Sequence, residues 1–199
     1  MPDSDLTSQK KIIRAELLAI RKAMTPEEVA ANSKAILENI LSVRLINKYS
    51  VFHCYYPINN EVDTVPLLTL LFDLQKTVVM PRTDFRTGEL INYKVESFSD
   101  LEETRFGMKE PRADFRLFTD PIDVVFVPGV AFDRQLYRMG YGKGFYDRFL
   151  KKAEAFNIGL GYNFQIRNNI PHDELDIRMN FIITETQIND SESIFKKTK

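Results

Sequence analysis

The pattern of apolar and polar positions predicts helices alternating with short buried strands. Ile13, Leu17, Ile20 and Met24 recur at three- and four-residue spacing, which predicts a helix over 8–24 with one apolar stripe. Thr25-Pro26-Glu27-Glu28 reads as a threonine cap, a proline at the first helical position and a glutamate closing a capping box. A second helix starts there, with Val29, Ser33, Ile36 and Ile40 inward and Leu37 and Leu41 beside them. Residues 50–56 (SVFHCYY) are β-rich and nearly all apolar, as in a strand covered on both faces. A helix over 66–74, a short strand over 77–80 ending at Pro81, and an alternating edge strand over 89–95 follow. Gly107, Pro111 and Pro121 predict little regular structure over 97–120. Residues 122–127 (IDVVFV) form the clearest buried strand. A helix is expected from Phe145 to about Phe156, then strands over 158–162 and 181–184. Buried strands alternating with helices predict a layered α/β fold.

Composition narrows the class. The chain has 199 residues, 44% hydrophobic and 28% charged, as one globular domain does, and this excludes collagen, disordered tails and coiled-coil rods. The expected domain covers 1–199, with an ordered core over about 10–186 and polar tails at 1–8 and 187–199. Net charge is −1, so any polyanion site must be a local patch. One cysteine, Cys54, and two histidines, His53 and His172, leave no zinc spacing and no internal disulfide. The acidic start lacks the basic and apolar regions of a signal peptide, and no apolar run approaches the roughly 20 residues of a membrane span. The expectation is a cytoplasmic protein with no membrane partner. No uncovered apolar stripe stands out, so a monomer is expected.

The most informative chemistry lies in 127–150, VPGVAFDRQLYRMGYGKGFYDRFL. Gly140, Gly142 and Gly144 alternate around Lys143 between a strand and a helix, so backbone N–H groups can approach an anion. Six basic and two acidic residues fall within 133–152. It is not a Walker A loop, because Tyr137 stands where glycine is needed and Gly144 where Ser or Thr is needed. Nor is it a dinucleotide fingerprint, since the third glycine comes one residue early. A phosphate cradle is the favoured reading, against a surface loop that merely turns. On the first helix, steps of about 100° put Arg14 near 40° and Arg21 near 20° from Lys10, beside the apolar stripe at roughly 280–340°. These three cations line one edge of the buried face, either as a solvated surface or over a shared polyanionic ligand. Tyr55, Tyr56 and Glu61 sit at the C-terminal end of the first strand, where α/β sheets bind ligands. Glu61 is either a surface carboxylate or an acceptor for a planar heterocycle. Asp147, one turn into the helix after the lysine loop, is placed to take Mg²⁺ on phosphates or to complement the helix start. His53 and Cys54 read as core residues, and the acidic loop over 171–176 as surface.

Pro128-Gly129-Val130-Ala131-Phe132-Asp133 followed by Arg138-Met139-Gly140-Tyr141-Gly142-Lys143-Gly144-Phe145-Tyr146-Asp147 resembles the signature of the 5-formyltetrahydrofolate cyclo-ligase family, also called methenyltetrahydrofolate synthetases. Lys10-x-x-x-Arg14, Tyr56-x-x-x-x-Glu61-Val62-Asp63-Thr64 and Gly107-Met108-Lys109-Glu110-Pro111 resemble further family elements in the family's order, from about Lys10 to Thr184. The resemblance implies a three-layer α/β/α fold with a mostly parallel central sheet, similar to the sugar-phosphate isomerase and CoA-transferase group. It implies ATP-dependent cyclisation of 5-formyltetrahydrofolate to 5,10-methenyltetrahydrofolate with Mg²⁺. By position, Lys10, Arg14, Arg138, Met139, Gly140, Tyr141, Gly142, Lys143, Gly144, Phe145 and Tyr146 would hold ATP, with Lys143, Arg14 and Arg138 catalytic. Asp147 would be near the metal, and Tyr56 and Glu61 would hold the folate. Tyr141 replaces a frequent arginine and Phe145 a frequent tyrosine. Asn180 falls where a second metal carboxylate is common, with Asp176 nearby. Competing classes are a sugar-phosphate isomerase, an RNA-binding module and a nucleotide sensor without catalysis; near-neutral charge and the lack of aromatic-stripe modules argue against nucleic acid.

Overall fold

The computed structural model describes residues 3–104 and 107–190. Helices α1 (Asp3–Ala23), α2 (Pro26–Ser42) and α3 (Leu45–Lys48) come first. Strand β1 (Val51–His53), helix α4 (Val65–Asp73) and strands β2 (Thr77–Asp84), β3 (Glu89–Val95), β4 (Leu101–Glu103), β5 (Lys109–Pro111), β6 (Val124–Pro128), β7 (Ala131–Asp133) and β8 (Arg138–Met139) follow. Helix α5 (Phe145–Leu150) then leads into β9 (Phe156–Leu160), β10 (Ile166–Arg167), β11 (Phe181–Ile183) and β12 (Ile188–Asp190).

Seven strands form the central sheet in the order β12-β11-β9-β6-β1-β2-β3. The five inner strands are parallel, and an antiparallel strand closes each edge. Because side chains alternate across a strand, each strand feeds two cores. Phe52, Val78, Phe126, Ile158 and Phe181 point to one face and pack with Ile36 and Ile40 of α2 and Leu67, Leu68 and Leu71 of α4. Each such buried Leu or Ile contributes about 2 kcal/mol. Val125, Val127 and Ile182 point to the other face, against Phe132 and Leu150 of α5. This is the expected three-layer arrangement. A small sheet, β10-β7-β8, stands beside it, and Leu17 of α1 packs on that sheet through Val130, Ala131, Met139 and Ile170.

The capping box at Thr25 forms as the sequence dictates: Glu28 N–H donates to the threonine hydroxyl, and Thr25 N–H donates to the Glu28 carboxylate at 2.8 Å. Several expectations are corrected. Helix α1 begins at Asp3, so most of the amino-terminal tail is helical. Its buried face is turned toward the cations: Leu17 and Arg21 are buried, whereas Ile20 is 42% exposed. Strand β2 continues through Pro81 to Asp84. Its pairing with β1 ends at Val79, so beyond that point a proline removes no ladder bond on that side. Residues 97–120 contain a two-stranded ribbon of β4 and β5. Helix α5 stops at Leu150, because the chain must be extended by Phe156 to pair with Val124. Ile188–Asp190 is a sheet strand rather than a tail, while 191–199 lie outside the described residues.

Candidate active site

The parallel strands β1 and β6 end on the same side of the sheet, and the loops that leave them, with the far half of β2, wall a cavity of about 810 Å³. The residues assigned to ATP, folate and the metal all line it: Lys10 and Arg14 of α1, Tyr56 and Glu61 after β1, and the whole run 138–147. The cations of α1 and the glycine loop, far apart in sequence, therefore meet. Arg14 Nε donates to the Gly140 carbonyl at 2.9 Å.

The loop's conformation requires its glycines at two places. Gly142 has φ of 91° and Gly144 has φ of 68°, in the left-handed region that side chains disfavour. A Cβ on Gly142 would also come within 3.3 Å of the Arg14 guanidinium. Arg148 ties the loop down by donating to the carbonyls of Lys143 and Gly88. The Lys143 side chain is exposed on the cavity rim, and its ammonium has no partner among the described residues.

Arg138 is buried beneath the loop and already committed. It donates to the Pro128 carbonyl at 3.2 Å and to Asp147 Oδ1 at 2.8 Å. Asp147 lines the cavity, and its second carboxylate oxygen has no partner among the described residues. Lys10 bridges to Asp173 at 3.3 Å and Asp176 at 2.8 Å. Partial burial pulls its ammonium pKa down, but the two carboxylates outweigh that and raise it.

Glu61 is 5% exposed. Its Oε2 accepts from Ile58 N–H at 3.2 Å, and its Oε1 accepts from the Tyr141 hydroxyl at 3.1 Å. Arg21 Nη2 stands 4.0 Å from the same Oε1. Burial pushes the Glu61 carboxyl above the usual range, and Arg21, Ile58 N–H and Tyr141 pull it back in part. Tyr141 thus reaches Glu61 with its hydroxyl although the residue is 40% exposed. On the opposite wall Lys109 covers the Tyr56 ring at 5.2 Å.

Asn180 does not line the cavity. It precedes β11, where its side chain accepts from Asn157 N–H at 2.7 Å, at the end of the sheet away from the site. The carboxylates that reach the cavity from this part of the chain are Asp173 and Asp176. The acidic loop is therefore part of the site wall and not plain surface. His53 and Cys54 are fully buried in the sheet, as core residues. Arg148 was not foreseen; its signal in the sequence is the four-residue step back to Gly144. Arg21, which the sequence groups with Lys10 and Arg14 as a solvated cation or one over a shared polyanionic ligand, is instead buried and does not line the cavity.

The model of the 5-formyltetrahydrofolate cyclo-ligase family matches residues 6–185. The chain belongs to this family. Its relatives include the 5-formyltetrahydrofolate cyclo-ligase of Mus musculus, 26% identical over 193 residues that cover 90% of this chain and 95% of that one. The cyclo-ligase of Escherichia coli K12 is 28% identical over 174 residues, covering 84% of this chain and 96% of the relative. Among solved structures, the 5,10-methenyltetrahydrofolate synthetase of Aquifex aeolicus is 32% identical, with a TM-score of 0.80 over 91% of this chain and 92% of that one. The cyclo-ligase fold and the wall of cations around the lysine loop thus occur together in this chain.

Proposed function

We propose that this protein cyclises 5-formyltetrahydrofolate to 5,10-methenyltetrahydrofolate at the expense of ATP, in the cavity between α1, the Glu61 loop and the lysine loop. The observation that carries the reading is the convergence of Arg14, the glycine loop and a buried acceptor, Glu61, on one cavity in a chain of the cyclo-ligase family.

The formyl oxygen is a poor leaving group and must be activated. In this reading it attacks the γ-phosphorus as the bond to the ADP oxygen breaks, which gives a phosphorylated imidate. N10 of the folate then attacks the formyl carbon, the carbon–oxygen bond breaks, and phosphate departs while the N10 proton passes to solvent. No covalent nucleophile on the protein is needed. Positioning and fixed positive charge suffice, as in other phosphoryl transfers. Lys143, with no partner among the described residues, and Arg14, oriented by Gly140, face the triphosphate together with Lys10. Backbone N–H groups along 139–146 cradle its oxygens. Arg138 acts from beneath the loop by holding Asp147.

Among the described residues no group of three metal-ligating side chains exists. A metal would therefore arrive with the nucleotide, and the free oxygen of Asp147 fits a Mg²⁺ that draws its remaining oxygens from phosphates and water. When bound, Mg²⁺ would supply positive charge to the leaving diphosphate. Glu61 accepts paired N–H groups of the pterin, with Tyr56 beside the ring. The protein acts as a cytoplasmic monomer with no nucleic-acid partner, and no described helix is long and apolar enough to cross a membrane. Mixing protein, ATP, Mg²⁺ and 5-formyltetrahydrofolate tests the whole reading: near-ultraviolet absorbance rises with ADP if it holds. A sugar-phosphate isomerase would release no ADP.

A further inference from the structure

Arg21 is the largest of the fully buried side chains, 2% exposed, and it does not line the cavity. A cation that deep needs a partner, or its desolvation goes uncompensated. It has a specific one. Nη1 donates to the Gly129 carbonyl at 3.2 Å, and Nη2 donates to the Tyr141 hydroxyl, which passes its own proton toward Glu61 Oε1 at 3.1 Å. The Asn60 amide donates to the carbonyls of Arg21 and Met24, so the end of α1 and the Glu61 loop are locked together. Arg21, Tyr141 and Glu61 form one chain from behind the wall to the cavity.

We propose that Arg21 is a positioning residue for folate recognition: from behind the cavity wall it holds Glu61 as an ionised carboxylate in one orientation, directly and through the Tyr141 hydroxyl. This rests on the reading of Glu61 as the pterin-facing group. An ionised Glu61 accepts two N–H groups; a protonated one presents an O–H and repels one of them. Burial favours the protonated form, and Arg21 is the charge that opposes it. The other groups facing Glu61 are Tyr141 from the glycine loop, Tyr55 after β1, Tyr146 of α5 and, on its backbone carbonyl, Tyr162. These are neutral phenols whose burial keeps them protonated, so none of them replaces the guanidinium. The Tyr141 hydroxyl, between Arg21 and Glu61, relays a charge it does not carry.

The test uses Arg21→Met, Arg21→Lys and Tyr141→Phe in the full chain. With Arg21→Met, kcat/KM for 5-formyltetrahydrofolate at neutral pH falls about tenfold or more, as for loss of a charged hydrogen-bond partner. The acid limb of its pH profile moves to higher pH, while the KM for ATP stays within about twofold. Arg21→Lys restores most of the loss. Tyr141→Phe shifts the limb in the same direction by less. Infrared titration of the Glu61 carboxyl band, assigned by its absence in Glu61→Gln, follows the same order without any substrate. An unmoved limb and band in folded Arg21→Met overturn the proposal, as does an equal loss for ATP and folate. Should Arg21→Met fail to fold, an unmoved limb and band in Tyr141→Phe overturn it instead. If the band moves but Glu61→Gln leaves the folate KM unchanged, the role of Arg21 stands and the folate reading of Glu61 is what fails.

Discussion

Arg14 Nε donates to the carbonyl of Gly140 at 2.9 Å, across 126 positions of sequence. The bond fixes where the first helix sits relative to the glycine loop. It also aims the Arg14 guanidinium across Gly142, which has no side chain to block it. Two stretches that read in the sequence as separate basic patches are one wall of one cavity.

Lys143 contributes charge to chemistry and nothing to folding, since its ammonium touches no described residue. Lys143→Ala therefore lowers kcat by ~10²–10³, the range for a preorganised electrostatic group. Its melting temperature stays at the wild-type value. Steady-state kinetics beside a thermal melt check both halves.

Glu61→Gln replaces one acceptor oxygen with a donor. The apparent KM for folate rises about 10- to 100-fold, the cost of a lost charge-assisted hydrogen bond. The KM for ATP changes far less, because Glu61 meets the lysine loop only through the Tyr141 hydroxyl. Separate titrations of the two substrates distinguish this from general damage to the site.

Gly142→Ala forces a side chain into a backbone at φ of 91° and against Arg14 at 3.3 Å. The strain costs about 1–2 kcal/mol. More tellingly, displacement of Arg14 raises the KM for ATP while the folate KM moves little. Denaturant midpoints and substrate titrations read the two effects independently.

His53 is wholly buried, with the Asn92 side chain as its polar neighbour. Burial drives its pKa down from 6.5 to about 3. The unfolded chain thus takes up a proton that the folded one refuses. The associated stability is present above pH 6.5 and is lost as pH falls toward 3, on the order of 5 kcal/mol in full. His53→Leu flattens that part of the stability–pH curve, measured by urea unfolding at a series of pH values.

What could be read in the sequence was what local rules determine. The capping box at Thr25 needs only four residues, and the alternation of glycines around Lys143 is complete within five. The strand over 122–127 is visible because it is apolar on both faces. Arg21 shows the opposite case. Its angular position was legible, but its burial depends on Gly129, Tyr141 and Glu61, none of them nearby in the chain, and no helical wheel contains them. The same holds for α5: residues after Leu150 favour helix by propensity, and the pairing of Phe156 with Val124 overrides it. The two- and three-residue strands of the small sheet carry no period at all. The position of Asn180 in the chain does not tell which carboxylates reach the site: the fold puts Asp173 and Asp176 at the cavity and Asn180 at the other end of its strand.

The most direct measurement follows absorbance and ADP together in one cuvette containing the protein, ATP, Mg²⁺ and 5-formyltetrahydrofolate. The methenyl product is more extensively conjugated than its precursor, so near-ultraviolet absorption should grow mole for mole with ADP and vanish when any one component is withheld. A folded protein that yields no chromophore, or that releases ADP without one, contradicts the assignment of this cavity.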